Sequence, residues 1–300
     1  MAETVTNPNE GWRNYTKRVP IGACKLGGDD LKKLYRLINE KQVEAGKRVI
    51  DGFWKTEQET DEQFQGRCKS WKDAFVTTVQ LRGFNNEVVT GHGEAFFDSG
   101  LLPERLLSVE YDTGFSPKAL AAVVGLGPNW MPNDRASVFL DFSRPSIFGR
   151  GLPSEPTPNN SNWFVTAQSE AWCTSLSARL EEFFSERKTS VDWLHRPNAY
   201  DGLLMVMGAP LSLWGAYKIG HPACAVMHLP SALETAVYVY GFFLCLNIFR
   251  FMFSYARWVF PKIELASQKS TARRHRAMWT AVALGVLACA LWDAIKAIAG

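Results

Sequence analysis

Thr235–Phe249, TAVYVYGFFLCLNIF, carries no formal charge, and two similar runs share the C-terminal third of the chain: Leu203–Tyr217, LLMVMGAPLSLWGAY, and Ala277–Trp292, AMWTAVALGVLACALW. A hydrocarbon core about 30 Å thick takes roughly 20 helical residues, and each run alone is shorter than that. The flanks supply the rest. The second run lengthens through Phe251, Met252, Phe253, Tyr255, Trp258, Val259 and Phe260 before Pro261, and the third through Ala294, Ile295, Ala297 and Ile298. Arg250, Arg257, Asp293 and Lys296 then have to snorkel, pair or face a wet interior. Trp214, Tyr217, Trp258, Trp279 and Trp292 stand near the ends of the runs, where amphipathic rings suit the headgroup level. The competing architecture is a soluble bundle that buries its apolar helices on all sides. The reading predicts three transmembrane helices, at about 202–218, 235–257 and 277–296.

Charge divides the chain at the same place. Residues 1–201 hold 24 Lys+Arg against 27 Asp+Glu, net −3, whereas residues 202–300 hold 9 against 3, net +6. This predicts a soluble domain over 1–201 and a membrane domain over 202–300. Between the first two runs the basic content is Lys218, with His221 and His228; between the last two it is Arg250, Arg257, Lys262, Lys269, Arg273, Arg274 and Arg276. The positive-inside rule puts the second loop in the cytoplasm. The expected topology in a bacterial inner membrane is therefore a cytoplasmic N-terminal head, three crossings and an external C-terminus. The opening MAETVTNPNEGW is polar and unlike an export signal. Cysteines at 24, 68, 173, 224, 245 and 289 show no CxxC pair or metal-ligand spacing, which suits reduced thiols.

In the head, Asp29 or Asp30 can cap a helix over about 30–45, in which Leu31, Leu34, Tyr35 and Ile38 recur at helical spacing. After a charged stretch to about 72, Ala74–Leu81 and Glu87–Thr90 flank GFNN as a hairpin. Further strands are expected at Leu106–Tyr111, Ala136–Phe142 and Trp163–Ala167. In SVFLDF, residues Val138, Leu140 and Phe142 alternate onto one face. A second helix is expected over about 169–188. The fold class is thus an α+β head with a mainly antiparallel sheet, followed by an all-α membrane segment. Gly149–Asn162, rich in Pro, Ser and Asn, reads as a loop excursion from the head, and WLHRPNAYD as a short connection to the first span.

For catalysis the chain offers no Walker A loop, HExxH, GxSxG or paired-carboxylate motif. His92 within GHG and Cys68 read as ordinary residues, and neither an enzyme nor a cofactor is expected. A binding head fits better. Trp12-Arg13, Trp54-Lys55 and Trp71-Lys72 set stacking surfaces beside cations, and Lys32, Lys33, Arg36, Lys47 and Arg48 concentrate positive charge around the first helix. Stacking with phosphate neutralisation holds nucleotides or single-stranded oligonucleotides, so these five residues are the expected anionic-ligand site.

The tail has its own pattern. Asn247, Arg250, Ser254 and Arg257 fall at spacings of three and four, a polar stripe suited to a pore or its mouth, with Asp293 as a possible ring of carboxylates. Ala281, Gly285 and Cys289 form a small helix-packing face. The alternative use of Arg250 and Arg257 is contact with lipid phosphates, and of Asp293 an ion pair with Lys296. Three spans cannot enclose a conducting path, so a channel requires a homo-oligomer in the bilayer. The other classes are a membrane-anchored enzyme and a subunit that recruits a partner to the membrane.

In its order of parts, the head before Asp201, the runs GLLMVMGAPLSLWGAY, TAVYVYGFFLCLNIF and AMWTAVALGVLACALW, and the RWVFPKIEL and RRHR stretches, the chain resembles bacterial antiphage membrane effectors. Hailong-type effectors, DNA-controlled membrane channels, are a candidate family. The resemblance implies that a nucleotide or oligonucleotide signal controls membrane permeability in an infected cell. It carries no individual functional residue over to this chain.

Overall fold

The computed structural model describes residues 14–100, 103–114, 134–148, 153–266, 268, 275–281 and 285. They form two compact units. The first takes the described residues up to Ser143, with Asn160–Thr189 and Ile263–Gln268; the second takes Arg144–Asn159, Ser190–Lys262 and the described residues beyond Lys269. The chain thus passes between units more often than a single boundary at 201 implies.

In the first unit the strands are β1 (Tyr15–Pro20), β2 (Cys24–Leu26), β3 (Thr78–Gly83), β4 (Val88–Gly91), β5 (Leu106–Asp112), β6 (Arg135–Asp141), β7 (Asn162–Ala167) and β8 (Ile263–Leu265). Six of them make one antiparallel sheet in the order β1-β7-β6-β5-β3-β4. Its long helices are α1 (Gly28–Asp51), α2 (Asp61–Ala74) and α3 (Glu170–Ser185). The expected alternation is present: Val138 and Leu140 are fully buried and Phe142 nearly so. They join Val79, Val109, Trp163 and Val165 from neighbouring strands and Leu34, Ile38, Leu176 and Leu180 from the helices in one core. Buried polar groups tie the helices down, because a side chain taken out of water must replace the hydrogen bonds it loses. Tyr111 Oη donates to the Leu31 carbonyl (3.0 Å), Trp172 Nε1 to the Lys41 carbonyl (3.2 Å) and Gln42 Nε2 to the Thr113 carbonyl (2.8 Å).

The helix expected over about 30–45 extends to Asp51, because Gln42, Ala45 and Gly46 continue its buried stripe. Its start is set by Asp30, whose carboxylate accepts from the Gly27 N–H at 2.7 Å. The charged stretch before residue 72 is a helix, α2, opened by a reciprocal cap between Thr60 and Gln63. Because α2 runs through Ala74, the strand expected from Ala74 starts only at Thr78. Where α1 meets Phe75 only a glycine fits: a Cβ on Gly46 would lie 2.5 Å from Phe75 Cγ. Gly46→Val is therefore expected to cost about 2 kcal/mol or more by overpacking, read as a lower urea midpoint at unchanged slope.

The segment after Pro261, expected as plain loop, contributes to the first unit's core. β8 pairs in parallel with β2, with Cys24 opposite Ile263 and Leu26 opposite Leu265. Ile263 is 1 % and Leu265 6 % exposed, and the Ala266 N–H donates to the Leu26 carbonyl at 2.7 Å. IEL is short, but its alternation points both apolar side chains inward.

The second unit contains a 3-10 turn at Asp192–His195, α4 (Ala199–Leu203), a π turn at Leu204–Gly208, α5 (Ala209–Met227) and α6 (Ser231–Val259). Ala199–Met227 is one continuous helix of 29 residues and Ser231–Val259 another, and both are long and apolar enough to cross a membrane. The first expected span, 202–218, therefore continues through Pro222 to Met227. The connection shrinks to His228–Pro230, with His228 in a left-handed conformation (φ 49°). Trp214 and Tyr217 consequently fall near the middle of the first helix rather than at its end. Among the described residues two helices of spanning length are present, and three were expected. The third, at 277–296, lies mostly outside the described residues, of which 275–281 and 285 are helical.

Gly208, Ser212, Ala216, Gly220 and Cys224 recur every four residues and are buried. Small side chains let helices approach closely: a Cβ on Gly208 would lie 2.7 Å from the Phe249 ring, and one on Gly220 3.0 Å from that of Tyr238. The small face expected at Ala281, Gly285 and Cys289 is described only in part. Ala281 and Gly285 are exposed, and Cys289 lies outside the described residues. Gly149–Asn162, expected as an excursion from the head, divides between the units. Its described residues before Asn160 belong to the second, where Ser154 Oγ donates to Asp201 (2.6 Å) and the Asn198 N–H to the Ser154 carbonyl (2.9 Å).

Candidate functional site

The first unit has a cavity of about 310 Å³ at the start of α1, large enough for a small ligand. Leu31, Phe97, Leu106 and Leu265 give it an apolar floor, and Asp29, Lys32, Asp98 and Glu104 a charged rim. Lys32 Nζ donates to Asp98 at 2.6 Å, and this bond, working against the desolvation of its own ammonium, raises the Lys32 pKa. Gln268 closes one side, its amide donating to the Leu106 carbonyl at 2.9 Å. Three carboxylates against one ammonium favour a ligand that presents a cation or hydrogen-bond donors; a bare phosphate would be repelled. Leu265 and Gln268 come from the segment that directly follows α6, with Phe260, Pro261 and Lys262 alone between α6 and β8.

The five cations expected to hold an anion are not brought together. Lys32 is bound to Asp98, Arg36 makes a forked pair with Glu94 (2.6 Å from Nε), and Arg48 pairs with Asp134 (2.9 Å), while Lys33 and Lys47 are exposed. Sixteen helical residues separate Lys32 from Arg48, about 24 Å along the axis. Of the tryptophans beside cations, Trp71 is buried against Phe75, Trp54 is 78 % exposed, and Trp12 lies outside the described residues. His92 is exposed and Cys68 partly so. Among the described residues no cluster of His, Cys, Asp or Glu is placed to hold a metal ion.

On α6 the polar stripe changes character along the helix. Asn247 is exposed and donates to the Phe243 carbonyl of its own helix (2.9 Å), Arg250 and Ser254 are partly buried, and Arg257 is 6 % exposed. Asp293 lies outside the described residues. Arg257 reaches the 3-10 turn, where its Nε donates to the Leu194 carbonyl at 3.0 Å. The next residue, His195, is 4 % exposed, with Nδ1 2.9 Å from the Thr157 hydroxyl. Sequence reading missed this junction, because WLHRPNAYD and the Pro-rich segment look like ordinary connections.

Burial, reinforced by the positive charges of Arg257 and Lys262, pushes the His195 pKa down to about 4. In the unfolded chain the imidazole binds a proton below about 6.5. The resulting stability is fully present above that value and is lost as pH falls towards 4, by about 3 kcal/mol in all. Between pH 7 and 5 the stability of wild type should fall more steeply than that of His195→Gln, as measured by denaturant unfolding at each pH. Equal slopes would place the ring in water. Comparison of the whole chain with protein-family models, with curated proteins and with solved structures finds no match.

Proposed function

We propose that this protein is a ligand-regulated membrane effector: a homo-oligomer whose cytoplasmic head senses a small ligand, one that presents a cation or hydrogen-bond donors where it enters the cavity, and controls a pore formed by its apolar helices, in a role such as antiphage defence. A nucleotide or oligonucleotide would have to bind the head outside that cavity. The observation that carries the reading is the course of residues 263–268. This segment belongs to the head, where Leu265 and Gln268 line the cavity, and it lies in the stretch of chain between α6 and the last apolar run. A ligand in the cavity therefore touches the connector of two apolar helices. Coupling of this kind needs differential affinity for two arrangements of that connector, not strength of binding alone.

The same pairing supports the topology. β8, which pairs with β2 in the head, follows α6 after only Phe260, Pro261 and Lys262, and so short a connection favours a topology in which α6 ends on the cytoplasmic side. Counting basic residues in the loops leads to the same side by an independent route. A third crossing at 277–296 would then put the C-terminus on the far side.

The test is dye and ion leakage from liposomes that hold the purified full-length protein, with and without short single-stranded DNA, cyclic and linear nucleotides, and small amines. Leakage that one of these raises or suppresses is the expected result. Verified insertion with no leakage under any condition would overturn the pore. If a ligand acts, Glu104→Gln together with Asp29→Asn should shift its half-maximal concentration tenfold or more, provided it occupies the cavity through charge-assisted bonds worth about 1.5–3 kcal/mol each. An unshifted dose response would move the sensor elsewhere on the head.

A further inference from the structure

Arg257 presents an unusual balance. It is 6 % exposed, and among the described residues no carboxylate pairs with it. Its Nε is used by the Leu194 carbonyl, its guanidinium lies 4.6 Å from the centre of the Phe253 ring, and Nη2 is buried without a hydrogen-bond partner. Beside it, His195 is held through Nδ1 by Thr157, while Nε2 is likewise buried and unpartnered. The Phe260 backbone acts on the ring as a hydrogen-bond acceptor, although no bond to Nε2 meets ordinary hydrogen-bond geometry. The acceptor at Phe260 favours the tautomer with the proton on Nε2; the Thr157 hydroxyl then donates to Nδ1, and both orphan nitrogens are donors.

Two adjacent buried donors, one of them charged, call for an acceptor that is itself charged. Buried polar groups in native proteins are nearly always partnered, and an unplaced water or ion commonly resolves the exceptions. Water would satisfy His195 but leave the guanidinium uncompensated. A metal ion on His195 is disfavoured by the positive charges of Arg257 and Lys262, against which only Asp192 acts on the ring, and Asp192 is itself held by Arg196 at 2.9 Å. We propose that Arg257 and His195 form a binding site for a phosphate-type oxyanion, received by Arg257 Nη2 and His195 Nε2–H.

The surroundings suit a phosphate at headgroup depth. Arg257 is in the last turn of an apolar helix beside Tyr255 and Trp258. Arg144 lies 5.1 Å from the Trp258 ring, and Arg276 Nε donates to the Val259 carbonyl at 3.1 Å. Aromatic rings and arginines together mark the level of lipid phosphates. The site does not depend on pore activity, so its test stands apart from leakage.

The experiment is thermal unfolding of the full-length protein, delipidated in dodecyl maltoside, against inorganic phosphate at constant ionic strength set with chloride. In parallel, the protein is measured in nanodiscs of phosphatidylcholine alone and with added phosphatidylglycerol. Wild type should be stabilised by inorganic phosphate if the source is a free anion, or by phosphatidylglycerol alone if it is a lipid headgroup. Arg257→Met, which removes the charge and keeps an apolar stem, should lose about tenfold or more in apparent affinity. His195→Gln, which keeps an N–H donor, should retain more affinity than His195→Leu, and this pair decides the matter if Arg257→Met fails to fold. No stabilisation of wild type in any arm, or equal responses from wild type and the charge-removing or donor-removing variants, overturns the site.

Discussion

Leu265→Glu is expected to abolish ligand control of leakage while leaving the protein inserted. Leu265 is 6 % exposed, packs into the head's core through β8 and forms part of the cavity floor. A carboxylate there enters an apolar floor whose one ammonium, Lys32, is already bound to Asp98, and its loss of water costs several kcal/mol. The six-stranded sheet closes without β8, since β8 pairs only with β2. The least costly response is therefore for the segment after Lys262 to leave the head, and not for the head to unfold. Insertion depends on α5 and α6, whose sequences are unchanged. In proteoliposomes the variant should be locked, either leaking at a constant rate or silent, with ligand making no difference. New protease cleavage between Lys262 and Arg276 should accompany this. Glu264→Gln, on the opposite side of the same strand, is the control. A Leu265→Glu protein that responds to ligand as wild type does would remove the connector from the mechanism.

Much of the head was legible because periodicity carries it. SVFLDF, the Leu31/Leu34/Tyr35/Ile38 stripe and the Trp163 strand each bury their apolar set on one side, and the side is readable from spacing alone. The missed elements lack that signal. α2 buries only Trp71, so its stability rests on capping and ion pairs more than on an apolar face. β8 is three residues long and far in sequence from its partner β2, and nothing local announces a pairing set by tertiary packing.

The candidate site was legible to a lesser degree for a related reason. A count of cations near α1 cannot reveal that Asp98, Glu94 and Asp134, distant in sequence, neutralise Lys32, Arg36 and Arg48. The α6 stripe singled out Arg257, but its partner, the Leu194 carbonyl, lies 63 residues away in sequence. Small residues recur every four positions in both α5 and the last run, and the contacts among the described residues show such packing on α5, a face the spacing reading did not single out.

The α5 stripe leads to the second large effect. A Cβ built on Gly215 would lie 3.1 Å from Cys245 Sγ, close to the roughly 3 Å that separates a Cβ from the far sulfur in a disulfide. Gly215→Cys should therefore cross-link to Cys245 almost completely under mild oxidant, in detergent and in bilayers, whereas the wild-type cysteines give no such product. Ala216 faces the α6 backbone next to that contact: a Cβ on Gly241 would touch its Cα and Cβ at 3.5 Å. Ala216→Leu adds three carbons where the space beside Gly241 takes about one at ordinary contact distance, and such overpacking costs about 1–3 kcal/mol. In lipid the helices have no hydrophobic drive to hold them together against that cost. Adding Ala216→Leu to Gly215→Cys should lower the cross-linking yield severalfold and alter leakage in the same preparation, since a pore built from α5 and α6 depends on their spacing. A high yield in the double variant would mean that the helices slide or rotate past the added side chain, and the stripe would then be a tolerant surface, not the element that fixes the hairpin.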